Sequence, residues 1–306
     1  MSPLSNEHFA IPKGSTVLVT GVNGLIGSHV ANEFLERGYN VHGTVRDLSK
    51  SAWIQDLFVK QYGQDKFTLF PVIDLTLPDA FEEAIKGVAA VVHVASPLDW
   101  GTSTDSLIIA AVAGATNALR ASNKQPSVQR FIFTSSSVAA VLPRPKVEGI
   151  VVTEDTWNDE AVMAAHDSPS PAQWYVAYAA SKTEAERAVW DFFHKDQSRR
   201  SDLVVNTEYF VNVQDTAKLH VAGTIFSDVQ GERIFAWAEP WNFDTILAVL
   251  RRQNPDKAFV ADFQCSRDLA DVGKSRSRSV QLLDALGKST FTSLKASIRL
   301  NSQDLA

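Results

Sequence analysis

Tyr178 and Lys182 stand four residues apart in the run Tyr178-Ala179-Ala180-Ser181-Lys182. On a helix such a pair shares one face and presents a phenol beside an ammonium. A free tyrosine loses its proton only near about pH 10. A neighbouring cation stabilises the phenolate and brings that value down, which makes the residue a usable acid near neutral pH. The same residues also read as a surface helix in which Lys182 is solvated and balanced by Glu184 and Glu186; taken alone, the pair favours that plainer reading. Tyr175 has Ala179 four residues on and no lysine to tune it. A second set of groups ends the apolar run Phe131-Ile132-Phe133-Thr134 with Ser135, Ser136 and Ser137. A hydroxyl at the end of a buried strand can hold a carbonyl oxygen and the oxyanion that develops from it. It can equally cap the segment that follows.

A third feature binds rather than reacts. Val17-Leu18-Val19-Thr20-Gly21-Val22-Asn23-Gly24-Leu25-Ile26-Gly27 reads as a strand, a glycine turn and the start of a helix. Gly21 permits the tight turn, Gly24 clears the approach of a phosphate, and Gly27 lets the helix lie close to the sheet. The N–H groups and positive end of that helix then face an anion. Leu25, Ile26, Val30, Phe34 and Leu35 recur at helical spacing behind the turn, which supports the strand–turn–helix context.

The elements that must position these groups alternate along the chain. Strands are expected at Val41–Arg46, Phe67–Ile73, Ala89–Ala95, Val128–Thr134, Leu203–Thr207, Tyr209–Val213 and Arg233–Trp237. Helices are expected up to Arg37-Gly38, then at Ser49–Tyr62, Pro78–Lys86, Thr104–Ser122, Ala172–Lys195, Asp215–Phe226 and Thr245–Arg252. Lys274, Arg276 and Arg278 sit among serines and read as a solvated loop. The alternation predicts an α/β, doubly wound parallel sheet whose ligands bind outside the carboxyl ends of its strands. A dinucleotide-binding domain over 1–207 is expected, followed by returning strand–helix elements and a small C-terminal lobe over 208–306.

Composition narrows the function classes. The chain has 306 residues and a net charge of −6, which argues against non-specific binding to nucleic acid or acidic membranes. Cys265 stands alone, so neither an internal disulfide nor a cysteine-rich metal site is expected. No apolar run reaches a membrane span, and the start of the sequence lacks a leader pattern. A cytoplasmic protein, monomeric or homodimeric, is the expectation.

Together these stretches resemble the extended short-chain dehydrogenase/reductases, in the branch of dihydroflavonol reductases and fungal aldehyde reductases. Thr20-Gly21-Val22-Asn23-Gly24-Leu25-Ile26-Gly27 is similar to the family's cofactor loop, and Val94-Ala95-Ser96-Pro97 to its segment after the fourth strand. Phe133-Thr134-Ser135-Ser136 resembles its serine segment, with Ser136 as the functional serine, and Tyr178 with Lys182 its Tyr-x-x-x-Lys pair. The resemblance reverses the plainer reading of that pair. It implies reduction of an aldehyde, ketone or keto ester with Ser136, Tyr178 and Lys182 as the reacting set, and Tyr178 and Lys182 also against the cofactor. It further implies Asp74 and Leu75 beside the adenine.

The cofactor rests on two neighbouring residues. Asp47 lies 20 residues after Gly27, near the spacing of an acid that binds the ribose of NAD. Arg46 precedes it at the end of the strand, and Arg46 with Lys50 resembles the pair that family members place on a 2′-phosphate. NADPH is therefore expected rather than NADH.

The resemblance also exposes a departure. After Leu203–Thr207 the chain runs directly into Glu208-Tyr209-Phe210, where relatives carry roughly 40 further residues, a difference beyond ordinary loop variation. Two strands so close in sequence would have to pair differently or merge. The helix-borne asparagine of the superfamily is replaced by Ala111, with Asn117 further along. The alternative to a reductase is thus a dinucleotide-binding relative with impaired catalysis that acts as a sensor or partner protein. Trp100, Trp157, Trp174 and Trp241 are candidates for an apolar pocket, though each suits ordinary packing as well.

Overall fold

The computed structural model describes residues 9–97, 103–167, 174–195, 202–208, 210–266 and 268–303. Trp100 and Tyr209 lie outside the described residues. Seven strands are described: β1 (Thr16–Thr20), β2 (Asn40–Val45), β3 (Phe67–Pro71), β4 (Ala90–His93), β5 (Arg130–Thr134), β6 (Asp202–Glu208) and β7 (Glu232–Ala236). They form one parallel sheet in the order β3-β2-β1-β4-β5-β6-β7. Val17 registers with Val41 on one side of β1, and Val19 with Val92 on the other. The chain winds outward from β1 in one direction through β2 and β3, then outward in the other from β4. The crevice between β1 and β4 is therefore the place where such sheets bind ligands.

Two-sided burial explains the strand sequences. Val17, Leu18 and Val19, then Ala90, Val91 and Val92, and then Phe131 and Ile132 are all fully buried. Such near-continuous apolar runs fit a sheet covered on both faces. On one face α1 (Leu25–Glu36) and α6 (Val213–Ile225) pack together and share a core with Val17, Val19, Val92 and Ile132. On the other, α3 (Thr104–Lys124) and α5 (Trp174–Lys195) pack with Leu18, Val91, Phe131 and Phe133. α2 (Ala52–Tyr62) lies beside β3, and α4 (Asp159–Asp167) packs on α5. α7 (Phe243–Gln253), α8 (Gly273–Ala285) and α9 (Leu294–Asn301) follow β7.

Three expectations are corrected. Pro78–Lys86 is a chain of turns with mainly i→i−3 bonds, such as Ala80 N–H to the Leu77 carbonyl and Glu82 N–H to that of Asp79. Phe81, Ala84 and Ile85 pin the segment to the core, and their burial decides its path. The second strand expected over Tyr209–Val213 is absent from its described part, 210–213: β6 extends to Glu208, and Asn212 caps α6 by accepting the Gln214 N–H at 2.9 Å. The helix α6 is then the crossover that lets β6 and β7 run parallel. The basic run lies on α8 rather than in a loop. There Arg276 Nε donates to the carbonyls of Trp237 and Ala238, and Arg278 pairs with Glu232, while Ser275 and Ser279 are buried.

The C-terminal helices are tied back by one buried acid. Asp215 on α6 accepts the Thr292 N–H at 2.5 Å and pairs with Lys288 at 2.9 Å. Asp215→Ala leaves these donors without their acceptor, so urea unfolding should report a loss of about 2 kcal/mol.

Candidate active site

The β1–α1 turn is shaped by two glycines. Gly21 has φ +68°, a left-handed conformation that suits glycine, and its N–H donates to the Thr44 carbonyl at 3.0 Å. A Cβ on Gly27 would stand 2.2 Å from the Gly21 carbonyl oxygen, so the helix can lie this close only with a bare Cα. Gly24 is the N-cap of α1, without a capping side chain and with no acidic residue in the first turn. The positive end of α1 is thus left for a ligand.

That end opens into a cavity of about 630 Å³ at the carboxyl edge of the sheet. Gly21, Asn23, Gly24, Leu25, Ile26 and Gly27 line it from the turn, and Arg46 from the end of β2. Asp74 and Leu75 line it from the segment after β3, and Val94, Ala95 and Ser96 from the segment after β4. Ser136, Tyr178 and Lys182 close the opposite end. Two expected residues stand elsewhere. Thr20 is fully buried beneath the wall, where its oxygen accepts the N–H groups of Val94 (3.0 Å) and Ala95 (2.9 Å). Lys50 is exposed and lies 3.7 Å from the Asp47 carboxylate. That carboxylate also accepts the Ser49 hydroxyl and the Lys50 N–H, which hold it below the usual carboxylate range. Asp47 therefore faces its own turn and not the cavity.

The end of the cavity lined by Ser136, Tyr178 and Lys182 is built on β5 and α5. Ser136 begins a 3₁₀ turn, Ser137–Ala139, and its oxygen accepts the Val138 N–H in a long 3.5 Å bond. Tyr178 and Lys182 share one face of α5, as their spacing requires. Lys182 is 5 % exposed; its Nζ donates to the Thr134 carbonyl at 3.2 Å and lies 5.8 Å from the Phe133 ring centre. Tyr175 lies outside the cavity, and burial raises its pKa, with the Asp268 charge adding to the rise.

Several partners carry no local sequence signal, because their neighbours come from distant segments. His220 on α6 donates Nδ1–H to the Thr216 carbonyl, so its Nε2 accepts the Thr134 hydroxyl at 2.8 Å. Thr20 accepts two N–H groups, so its own proton goes to His93 Nδ1 at 3.1 Å. Asn117 Nδ2 donates to the Thr76 and Leu77 carbonyls and so fixes the segment carrying Asp74 and Leu75. Ala111 is buried in the core. Among the candidate tryptophans, Trp157 stacks under Arg233 at 4.2 Å, Trp174 packs edge-on against Tyr175 and Trp241 against Phe243. None of the three lines the cavity.

Comparison with known proteins gives three kinds of match. Residues 17–204 match the NAD dependent epimerase/dehydratase family. The chain is 32 % identical to aldehyde reductase 2 of Sporidiobolus salmonicolor, with 96 % of each chain covered. That alignment runs over 338 positions, more than the 306 residues of this chain. It is also 32 % identical to the ketoreductase adrE of Penicillium roqueforti, over 95 % of this chain and 97 % of that one. The fold is similar to that of the yeast methylglyoxal/isovaleraldehyde reductase Gre2 complexed with NADPH. The TM-score is 0.79 at 23 % identity, with 92 % of this chain and 96 % of that chain covered.

Both buried imidazoles are held neutral. Burial, then the Lys182 charge, lowers the His93 pKa to about 3, and burial lowers that of His220 to about 4. The unfolded chain protonates histidine near about pH 6.5, so below that pH it binds more protons than the folded state. The contribution of these histidines is complete above about pH 6.5 and is lost as the pH falls, toward about 4 for His220 and about 3 for His93. The urea midpoint should drop between about pH 7 and pH 5, and His220→Gln should remove about one proton from that dependence.

Proposed function

Because the chain belongs to the NAD dependent epimerase/dehydratase family, we propose that it is an NADPH-dependent reductase that converts an aldehyde or ketone to an alcohol. The convergence of Ser136, Tyr178 and Lys182 on the cavity headed by the glycine turn carries this reading. The names of the full-length relatives, an aldehyde reductase and a ketoreductase, support it.

The residues present fit a dinucleotide phosphate. The bare Cα of Gly27 lets α1 start against the Gly21 carbonyl oxygen, and the uncapped first turn of α1 offers N–H groups to a pyrophosphate. Asp74 and Leu75 take the adenine side. Arg46 lines the cavity while Asp47 does not, which favours a 2′-phosphate over a bare ribose diol. NADPH, when bound, supplies the hydride. Ser136 donates its hydroxyl to the substrate oxygen and holds it as charge develops. Tyr178 delivers the proton that turns that oxygen into an alcohol. Lys182 stabilises the phenolate left behind.

A second reading follows from the short passage between β6 and α6. Glu208 ends the strand and Val213 begins the helix, so no room is left there for the long insertion expected in relatives. A chain lacking that wall could hold the dinucleotide without turning over a substrate.

Turnover separates the two. The wild-type chain should consume NADPH with aldehydes or keto esters, and Tyr178→Phe should lower kcat by about 10² or more while NADPH still raises the melting temperature. A wild-type chain stabilised by NADPH yet inactive across the panel would establish the second reading. Arg46→Ala should weaken NADPH binding by about tenfold and leave NADH binding nearly unchanged, as titration of each cofactor will report.

A further inference from the structure

Helix α5 grips the end of β5 at two successive turns. Lys182 holds the Thr134 carbonyl. One turn on, Glu186 is fully buried, and its Oε2 accepts the Ser135 hydroxyl at 2.6 Å. The next residue is Ser136. A buried carboxylate is costly without a counter-charge, and Arg233 on β7 provides one. Its Nε donates to Glu186 Oε1 at 2.5 Å and its Nη2 to Oε2 at 3.3 Å. Arg233 is itself fixed, since Nη1 donates to the carbonyls of Glu154 (3.0 Å) and Thr156 (2.6 Å) and the guanidinium lies over the Trp157 ring. Strand β7, the 154–157 loop, α5 and the end of β5 are thus joined through the Glu186–Arg233 pair.

We infer that Glu186, anchored by Arg233, is a positioning residue for the reduction: through Ser135 it sets the Ser136 hydroxyl against the face of α5 that carries Tyr178 and Lys182. The inference rests on the reductase reading. A buried ion pair of this kind adds little net stability over an apolar replacement, but it has a directional grip that apolar packing lacks. Hydride transfer needs the substrate oxygen held by Ser136 and Tyr178 together, and a misplacement of about 1 Å can cost on the order of 10² in rate.

Ser135→Ala tests this without stripping Arg233 of its partner. We expect kcat to fall about tenfold or more, with KM and the Kd for NADPH within about twofold of wild type. In the Ser135→Ala background, adding Glu186→Gln should lower kcat by no more than about a further twofold, because both changes act through one hydroxyl. An active wild type whose kcat survives Ser135→Ala within about twofold overturns the inference. So does a Glu186→Gln loss of equal size in both backgrounds. Should Glu186→Gln fail to fold, the Ser135→Ala split between kcat and KM still decides. A folded wild-type chain that binds NADPH and reduces nothing overturns the reductase reading instead, and the positioning role with it.

Discussion

The contact between Gly27 and the Gly21 carbonyl oxygen governs the rest of the site. Helix α1 can begin against the end of β1 only because position 27 carries no Cβ; a methyl there would sit 2.2 Å from that oxygen. With the helix in place, its uncapped first turn points along the carboxyl edge of the sheet. The left-handed Gly21 turns the chain beneath Ala95, and a Cβ at Gly21 would meet Ala95 at 3.3 Å. Thr20, one residue earlier, binds the backbone of Val94 and Ala95. The floor of the cavity is thus fixed from both sides of the crevice between β1 and β4.

The end of the cavity lined by Ser136, Tyr178 and Lys182 depends on where charge is kept. Lys182 is nearly enclosed, close to Phe133 and held by a backbone carbonyl. Burial keeps His93 neutral in the core, and the Lys182 charge adds to that effect. His220 is neutral through burial and serves as an acceptor for Thr134. Both histidines therefore act as hydrogen-bonding pieces of the frame, behind a cavity wall that Tyr178 and Lys182 line. Low local dielectric makes each of these interactions stronger and makes any broken one more costly.

Much of this frame was legible in advance. The apolar runs of β1, β4 and β5 fit burial on both faces, and the glycine spacing fits a strand–turn–helix, because both follow from local sterics and period. Where the reading failed, distant contacts outweighed local pattern. Phe81 and Ile85 drew Pro78–Lys86 into turns. Asn212 became a cap where a strand had been expected. Arg276 and Arg278 found carbonyls and carboxylates on β7 and its flanks, which turned an apparent loop into one face of α8.

The sequence by itself determined the residue types, their spacing on α5 and at the β1–α1 turn, and the alternation that makes a parallel sheet. It could not decide whether Tyr178 and Lys182 faced water or a cavity, since a helix with that spacing is the same object in either setting. Tertiary structure decided it by packing α5 across the end of β5, where Lys182 loses its water and gains the Thr134 carbonyl. It also separated Arg46 from Lys50 and Asp47, which are near neighbours in sequence: only Arg46 lines the cavity. The reason is physical: a side chain's spacing is local, whereas its desolvation and its partners are set by segments far away along the chain.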